Sequence, residues 1–171
     1  MEVTRITRRT HLLMLGGAMA APLLLRSGPA AAETMHEIEM LNFHPDNRRE
    51  QMIFRPAVLQ IEPGDTARFL ATDRSHNAQS IDGMTPAGAE PFRGRINEEI
   101  EVTFETEGTY GYVCQPHQTM GMIGFILVGD FTGNLDEVRE AGSALRGRDT
   151  TRRFEDYMAE IEAIAEERGL V

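Results

Sequence analysis

After residue 33 the chain is a succession of short apolar runs, each closed by turn residues, and that rhythm narrows the fold more than any other feature. EEIEVTFET places Ile100, Val102 and Phe104 two apart with acids between, the pattern of a strand with one buried face. HEIEMLN (36–42) sets Ile38 and Met40 against acids in the same way, and QMIFRPAVLQI (51–61) holds two apolar runs around Pro56. ARFLATD (67–73), GTYGYVC (108–114) and the near-continuously apolar MIGFILVGD (122–130) follow. Pro63 and Gly64 in EPGDT suit the central pair of a type II turn. Strands this short and this regularly interrupted predict an all-β sandwich or barrel.

The rhythm changes at Gly129-Asp130. Asn134-Leu-Asp-Glu137 has the form of a helix start, a capping residue with an acid three places on. RRFEDYMAEIEAIAEERG then puts Phe154, Tyr157, Met158, Ile161, Ile164 and Ala165 on one helical face, with acids and arginines on the other, and Gly169 closes it. This divides the chain into a β domain over 33–129 and a helical extension over 130–171 that packs on it through the narrow apolar stripe.

The first 32 residues read as an export signal. Arg5, Arg8 and Arg9 precede an apolar stretch from Leu12 to Leu25, and Ala30-Ala31-Ala32 offers a small-residue cleavage site near Ala32. The apolar stretch falls short of the ~20 residues a membrane-spanning helix needs. TRRTHLL resembles a twin-arginine signal, and the general secretory route stays open beside it. Without the leader, 13 arginines face 26 acids, a net charge of −13, and there is no lysine. That balance argues against nucleic acid and against anionic membranes as partners. The expected location is the periplasm, an oxidising compartment.

There the lone cysteine becomes informative. Cys114 can form no internal disulfide, so it is either a buried, inert thiol or a thiol that something occupies. In VCQPHQTMGM it stands beside His117, Met120 and Met122. Thiolate, imidazole and thioether are soft or borderline donors that favour copper over calcium or magnesium, and two histidines, one cysteine and a weak axial methionine make a blue-copper set. One histidine is missing and must come from another strand. His11 leaves with the leader, and His36 and His44 lie near the mature start among charged or turn residues. His76, in the loop DRSHNAQS after a strand, is the choice, with Asn77 beside it suited to tying one loop to another.

TDRSHNAQSIDGMTPAGAEPFRGRINEE and YVCQPHQTMGMIGFILVGD together resemble the pseudoazurins, small bacterial blue-copper proteins of the cupredoxin family. MIFRPAVLQIEPGDT resembles that family's second and third strands, and the tail from NLDEVREA its two C-terminal helices. The resemblance implies a cupredoxin Greek-key β-sandwich with two short C-terminal α-helices packed on it. It implies one type 1 copper ion, Cu(I)/Cu(II), held by His76, Cys114, His117 and Met122. Met120, three after the loop histidine as in amicyanins, competes with Met122 for the axial place; the rest of the chain follows the pseudoazurin pattern. Asn77 would aim its backbone amide at the Cys114 sulfur, and Pro116, lacking an N–H, would withhold one donor from it.

The implied activity is that of a monomeric electron carrier, not an enzyme. Nitrite reductase, nitrous oxide reductase and cytochrome c are the candidate partners. Met52, Met84, Pro86, Pro116 and Met120 are candidates for an apolar docking patch around the loop histidine. Arg74, Arg93 and Arg95 stand where the family carries basic residues, although Val113 replaces a family lysine. The alternative is a copper storage or delivery protein, which would need exposed, exchangeable ligands.

Overall fold

The structure, a computed structural model, describes residues 33–171; the expected leader over 1–32 lies outside the described residues. Eight strands form two four-stranded sheets. One takes β1 (Met35–Phe43), β2 (Gln51–Arg55), β4 (Thr66–Leu70) and β6 (Ile100–Thr103) in the order β2-β1-β4-β6. The other takes β3 (Val58–Ile61), β5 (Gln79–Ser80), β7 (Gly108–Val113) and β8 (Ile123–Val128) in the order β3-β8-β7-β5. At Pro56-Ala57 the chain leaves one sheet for the other. β1 runs parallel to β4 and β3 parallel to β8, while the remaining pairs are antiparallel. The architecture is the expected Greek-key sandwich.

Side-chain alternation explains why MIGFILVGD is apolar throughout. Met122, Ile126 and Val128 point between the two sheets, where they meet Ile38, Met40, Phe54, Phe69, Phe104, Tyr110 and Tyr112. Ile123, Phe125 and Leu127 point the other way, into a second core completed by α1 (Leu135–Gly142) and α2 (Arg148–Glu167). A strand buried on both faces has no solvent side to carry polar residues. The stripe on α2 behaves as the sequence predicts: Met158, Ile161 and Ala165 are buried against β8, with Phe154, Tyr157 and Ile164 half-buried around them. α2 is 20 residues long and α1 eight. No helix among the described residues is long and apolar enough to cross a membrane.

Asn134 departs from its expected capping role. Its side chain makes no cap bond; instead Oδ1 accepts from Thr109 N–H at 2.8 Å and Nδ2 donates to the Thr109 carbonyl at 2.9 Å. The amide thereby docks the helix start onto β7 as an extra strand residue would.

Two buried polar groups, Tyr112 between the sheets and Asp65 in the turn between β3 and β4, yield predictions. The Tyr112 ring packs against Phe54 and Phe69 at 4.8 and 5.1 Å, yet its buried hydroxyl has no hydrogen-bond partner among the described residues. Tyr112→Phe removes that desolvated group, and we expect it to stabilise the protein by about 1 kcal/mol in urea unfolding. Asp65 accepts from Thr34 N–H at 2.8 Å, from the His36 ring at 3.0 Å and from Glu62 N–H at 3.1 Å. Burial raises the Asp65 carboxyl, but those bonds together outweigh it and hold the group below its ordinary value. A depressed carboxylate stabilises the fold above its unfolded pKa of about 3.9, and that contribution is lost as pH falls through the lower folded value. Urea unfolding in steps from pH 6 to 2 checks this: the decline in stability below pH 4 should be shallower in Asp65→Asn than in the parent.

Candidate metal centre

Val113 pairs with Ile123, so residues 114–122 form a loop closed at its base by the sheet. Cys114 N–H donates to the Met122 carbonyl at 3.0 Å, His117 N–H to Cys114 at 3.1 Å and Met122 N–H to His117 at 3.2 Å. Between them Gln115–Met120 makes a tight 3₁₀ turn with Pro116 at its start, where an absent N–H leaves no bond unmade. The pleat that turns Tyr110 and Tyr112 into the inter-sheet layer also turns Cys114 there. Met122 enters it from the opposite strand; both are fully buried.

His76 arrives from the loop between β4 and β5 and is also fully buried. Its Nε2 lies 3.1 Å from Asn42 Oδ1, an atom that can only accept, so Nε2 carries the proton and Nδ1 is left bare. Asn42 is held in turn by its own N–H, which donates to Asp73 Oδ2 at 2.7 Å. Burial, then the neighbouring His117, push the His76 pKa down to about 4 against the pull of Asp73. Burial lowers His117 as well.

Three donor atoms then converge. Cys114 Sγ lies 3.7 Å from His76 Nδ1 and 3.4 Å from His117 Nδ1, and the two Nδ1 atoms are 3.1 Å apart. The point equidistant from all three lies about 2.0 Å from each, an ordinary metal–nitrogen length, and a small displacement from it away from the sulfur gives the ~2.3 Å of a metal–thiolate bond. The bare His76 Nδ1 faces His117 Nδ1 at 3.1 Å, with the Cys114 sulfur beside both, so all three donors point at one spot. The donor set and its spacing fit a copper ion, and no other group of His, Cys, Asp or Glu among the described residues converges this way.

Asn77 bonds across loops. Its Oδ1 accepts from Gln115 N–H at 2.8 Å and its Nδ2 donates to the Gly94 carbonyl at 3.1 Å, joining three loops. Burial raises the Cys114 thiol pKa, and the backbone N–H groups of Asn77 and His117 oppose that by favouring the thiolate.

Comparison with known proteins agrees with the geometry. The family described as copper binding proteins, plastocyanin/azurin family, matches residues 41–129. The pseudoazurin of Paracoccus pantotrophus is 41% identical over 132 residues, covering 77% of this chain and 88% of its own. The chain belongs to the pseudoazurins, within the plastocyanin/azurin family of copper-binding proteins. A solved pseudoazurin from Sinorhizobium superposes with a TM-score of 0.68 at 44% identity, over 75% of this chain and 97% of that one. The pseudoazurin of Hyphomicrobium denitrificans gives 0.67 at 34% identity, over 74% and 97%. As a pseudoazurin the protein carries one copper ion and is an electron carrier, not an enzyme.

The pseudoazurin pattern also sorts the remaining candidates. Met122 is buried beside Cys114, whereas Met120 is 44% exposed on the turn above, so Met122 is the methionine placed to face the three donors. Met52 is half-buried, and Pro116, Arg74, Arg93 and Arg95 are exposed. Met84 and Pro86 are not surface residues. Gly111 and Gly108 of β7 leave hollows that these two fill: a Cβ at Gly111 would lie 2.5 Å from the Met84 sulfur, and one at Gly108 2.4 Å from the Pro86 ring. Both belong to the packing beneath the helices, and neither is free to dock a partner.

Asn42 escaped sequence reasoning. Its residue type is common at strand ends, and its partner lies 34 positions away. Groups that orient a ligating imidazole typically matter 10–100-fold in metal affinity. We expect Asn42→Ala to weaken copper binding by about that factor, measured by competition with a chelator of known affinity.

Proposed function

We propose that this chain is a periplasmic, monomeric electron shuttle whose copper is held by His76, Cys114, His117 and Met122. In this reading it docks redox enzymes through the face around His117. The leader over 1–32 is removed near Ala32 during export, leaving a cupredoxin domain over 33–129 and its helical extension over 130–171.

The observation that carries this reading is the graded exposure of the donors. His76, Cys114 and Met122 are fully buried, while the His117 ring is half-buried beside exposed Pro116 and Met120. When bound, copper supplies a one-electron couple between Cu(I) and Cu(II). The residues do the rest. Strand pairing at Val113–Ile123, the loop's own hydrogen bonds and the Asn42 and Asn77 contacts hold the four donors still, so that little need move when an electron arrives. Burial of the other three excludes water and leaves the outer edge of His117 as the shortest way out. Buried ligands of this kind suit retention of the metal, not its hand-over, which disfavours a storage or delivery role.

The docking face combines apolar and basic groups. Pro116, Met120 and Met52 supply the apolar part around His117. Arg74, Arg93 and Arg95 are exposed, and no carboxylate pairs with any of them among the described residues. Arg93 reaches Gln115, the residue after the ligating cysteine, at 3.2 Å. Elsewhere on the surface Arg55, Arg68, Arg139 and Arg152 are paired with acids. A locally positive rim on an acidic protein suits an acidic partner, because steering follows the local field. A copper nitrite reductase or a nitrous oxide reductase is the acceptor this chemistry favours, with a cytochrome c as donor candidate.

Two measurements test the proposal. Copper-loaded protein should show an intense visible thiolate-to-copper band that disappears on reduction and in Cys114→Ser; a colourless copper(II) form refutes the ligand set. In stopped-flow mixing with nitrite reductase, the transfer rate should fall with added salt, and Arg93→Gln with Arg95→Gln should slow it several-fold at low ionic strength only. A rate indifferent to salt removes the arginine rim from the mechanism.

A further inference from the structure

The turn Gln115–Met120 contains no buried residue, so it has no apolar core of its own to hold its shape. What it leans on is the start of α2. Arg153 is only 9% exposed and pairs with no carboxylate among the described residues. Its Nη1 donates to the Gly121 carbonyl at 2.8 Å and to the Met52 carbonyl at 2.7 Å, and its Nη2 donates to the Gln51 carbonyl at 2.7 Å. One guanidinium thus joins the residue before Met122 to the start of β2, about a hundred positions before Arg153 in the chain.

Neighbouring contacts strengthen the same junction. Buried Thr150 donates its hydroxyl to the Gln118 carbonyl. Gly121 lies so near α2 that a Cβ there would stand 3.0 Å from both Arg153 Cδ and the Asp149 carbonyl oxygen. At Gly147 a Cβ would come within 2.4 Å of the Thr119 carbonyl oxygen. Met52 adopts a left-handed backbone at φ 50°, uncommon for a side chain of its size, and the Gln51 and Met52 carbonyls both face the guanidinium. Three of these features favour close contact between the turn and the helix, and the fourth aims the carbonyls of β2 at the same guanidinium.

We infer that Arg153 is a positioning residue for the metal loop, pinning Gly121, and through it Met122, against the strand at Gln51–Met52. The inference rests on reading residues 114–122 as the metal-holding loop. A buried guanidinium must give up its hydration, and apolar residues of similar volume often serve stability as well or better. What only a planar, multi-donor fork supplies is simultaneous, oriented bonding to several carbonyls. A thioether is a weak ligand that cannot enforce its own distance, so the protein must fix it from outside. The C-terminal helices thereby act on the copper loop as well as on the sheet beneath it.

The test compares Arg153→Met and Arg153→Lys with Ile161→Ala, which removes core contacts from α2 without touching the loop. In copper-free protein, amide hydrogen exchange at Gly121 and Met122 should quicken at least tenfold relative to Phe125 in Arg153→Met. Arg153→Lys should show a smaller increase, and Ile161→Ala should leave the ratio unchanged while lowering overall stability. In copper-loaded protein, electron self-exchange measured by NMR line broadening should slow several-fold in Arg153→Met and stay at the parental rate in Ile161→Ala. An unchanged loop-to-core exchange ratio in Arg153→Met overturns the inference, as does an equal change in Ile161→Ala. Should Arg153→Met fail to fold, the same criteria apply to Arg153→Lys. A parent protein without a visible copper band would refute the ligand assignment, but the copper-free exchange experiment would still decide the role of Arg153.

Discussion

The pairing of Val113 with Ile123 governs this molecule. In a pleated sheet, neighbours along a strand face opposite ways, so fixing one pair fixes the facing of everything beside it. With Val113 and Ile123 turned toward the helices, Cys114 and Met122 have to turn toward the other sheet. A slip of one residue in either strand would put a donor atom under the helices and dissolve the site. The loop between them is short enough that His117 is carried to the same place by one tight turn. Three of the four proposed ligands thus follow from one register.

The register depends in turn on β7 and β8 being enclosed. Because sheet and helices cover both faces, neither strand has a polar side that could tolerate a shift. The helical extension is therefore part of what defines the site: its core residues hold Ile123, Phe125 and Leu127 outward, which holds Met122 inward. His76 comes from another loop and needs separate control. It has that in Asn42, in Asp73 behind Asn42, and in Asn97, whose N–H donates to the His76 carbonyl at 2.7 Å.

The chain's legibility divides along the same line. Features with a local period were readable: alternating Ile100, Val102 and Phe104, the stripe from Phe154 to Ala165, and the spacing from Cys114 to Met122. His76 was reachable by elimination and by resemblance. Features whose partners lie far along the chain left no pattern, and Asn42, Asp65 and Arg153 are all of this kind. Each is a polar side chain bonding a distant backbone or ring, and nothing in its neighbours announces it. Met84 and Pro86 misled for a related reason: a methionine and a proline in a turn-rich loop look exposed, and only the glycines of a strand 20 or more residues later make room for them. Asn134 does mark a helix boundary, but the bond it makes belongs to β7.

The absence of lysine, uninformative in the sequence, acquires meaning from the contacts the arginines make. Some pair with acids on the surface, and Arg74, Arg93 and Arg95 have no acid partner among the described residues. A third group binds backbone carbonyls: Arg153 at the loop, Arg146 on the carbonyls of 143–145 after α1, and Arg168 on Gly129 after β8. An ammonium could stand in for the first group with little loss, since a surface ion pair needs only a charge. Within the third group it could stand in for Arg153 only poorly, because a point charge cannot be divided in a fixed plane among carbonyls from different segments, and Arg153 alone bonds carbonyls of both β2 and the metal loop. Whatever removed lysine from this chain, Arg153 is where arginine chemistry is needed, and it is the arginine on which the copper geometry leans.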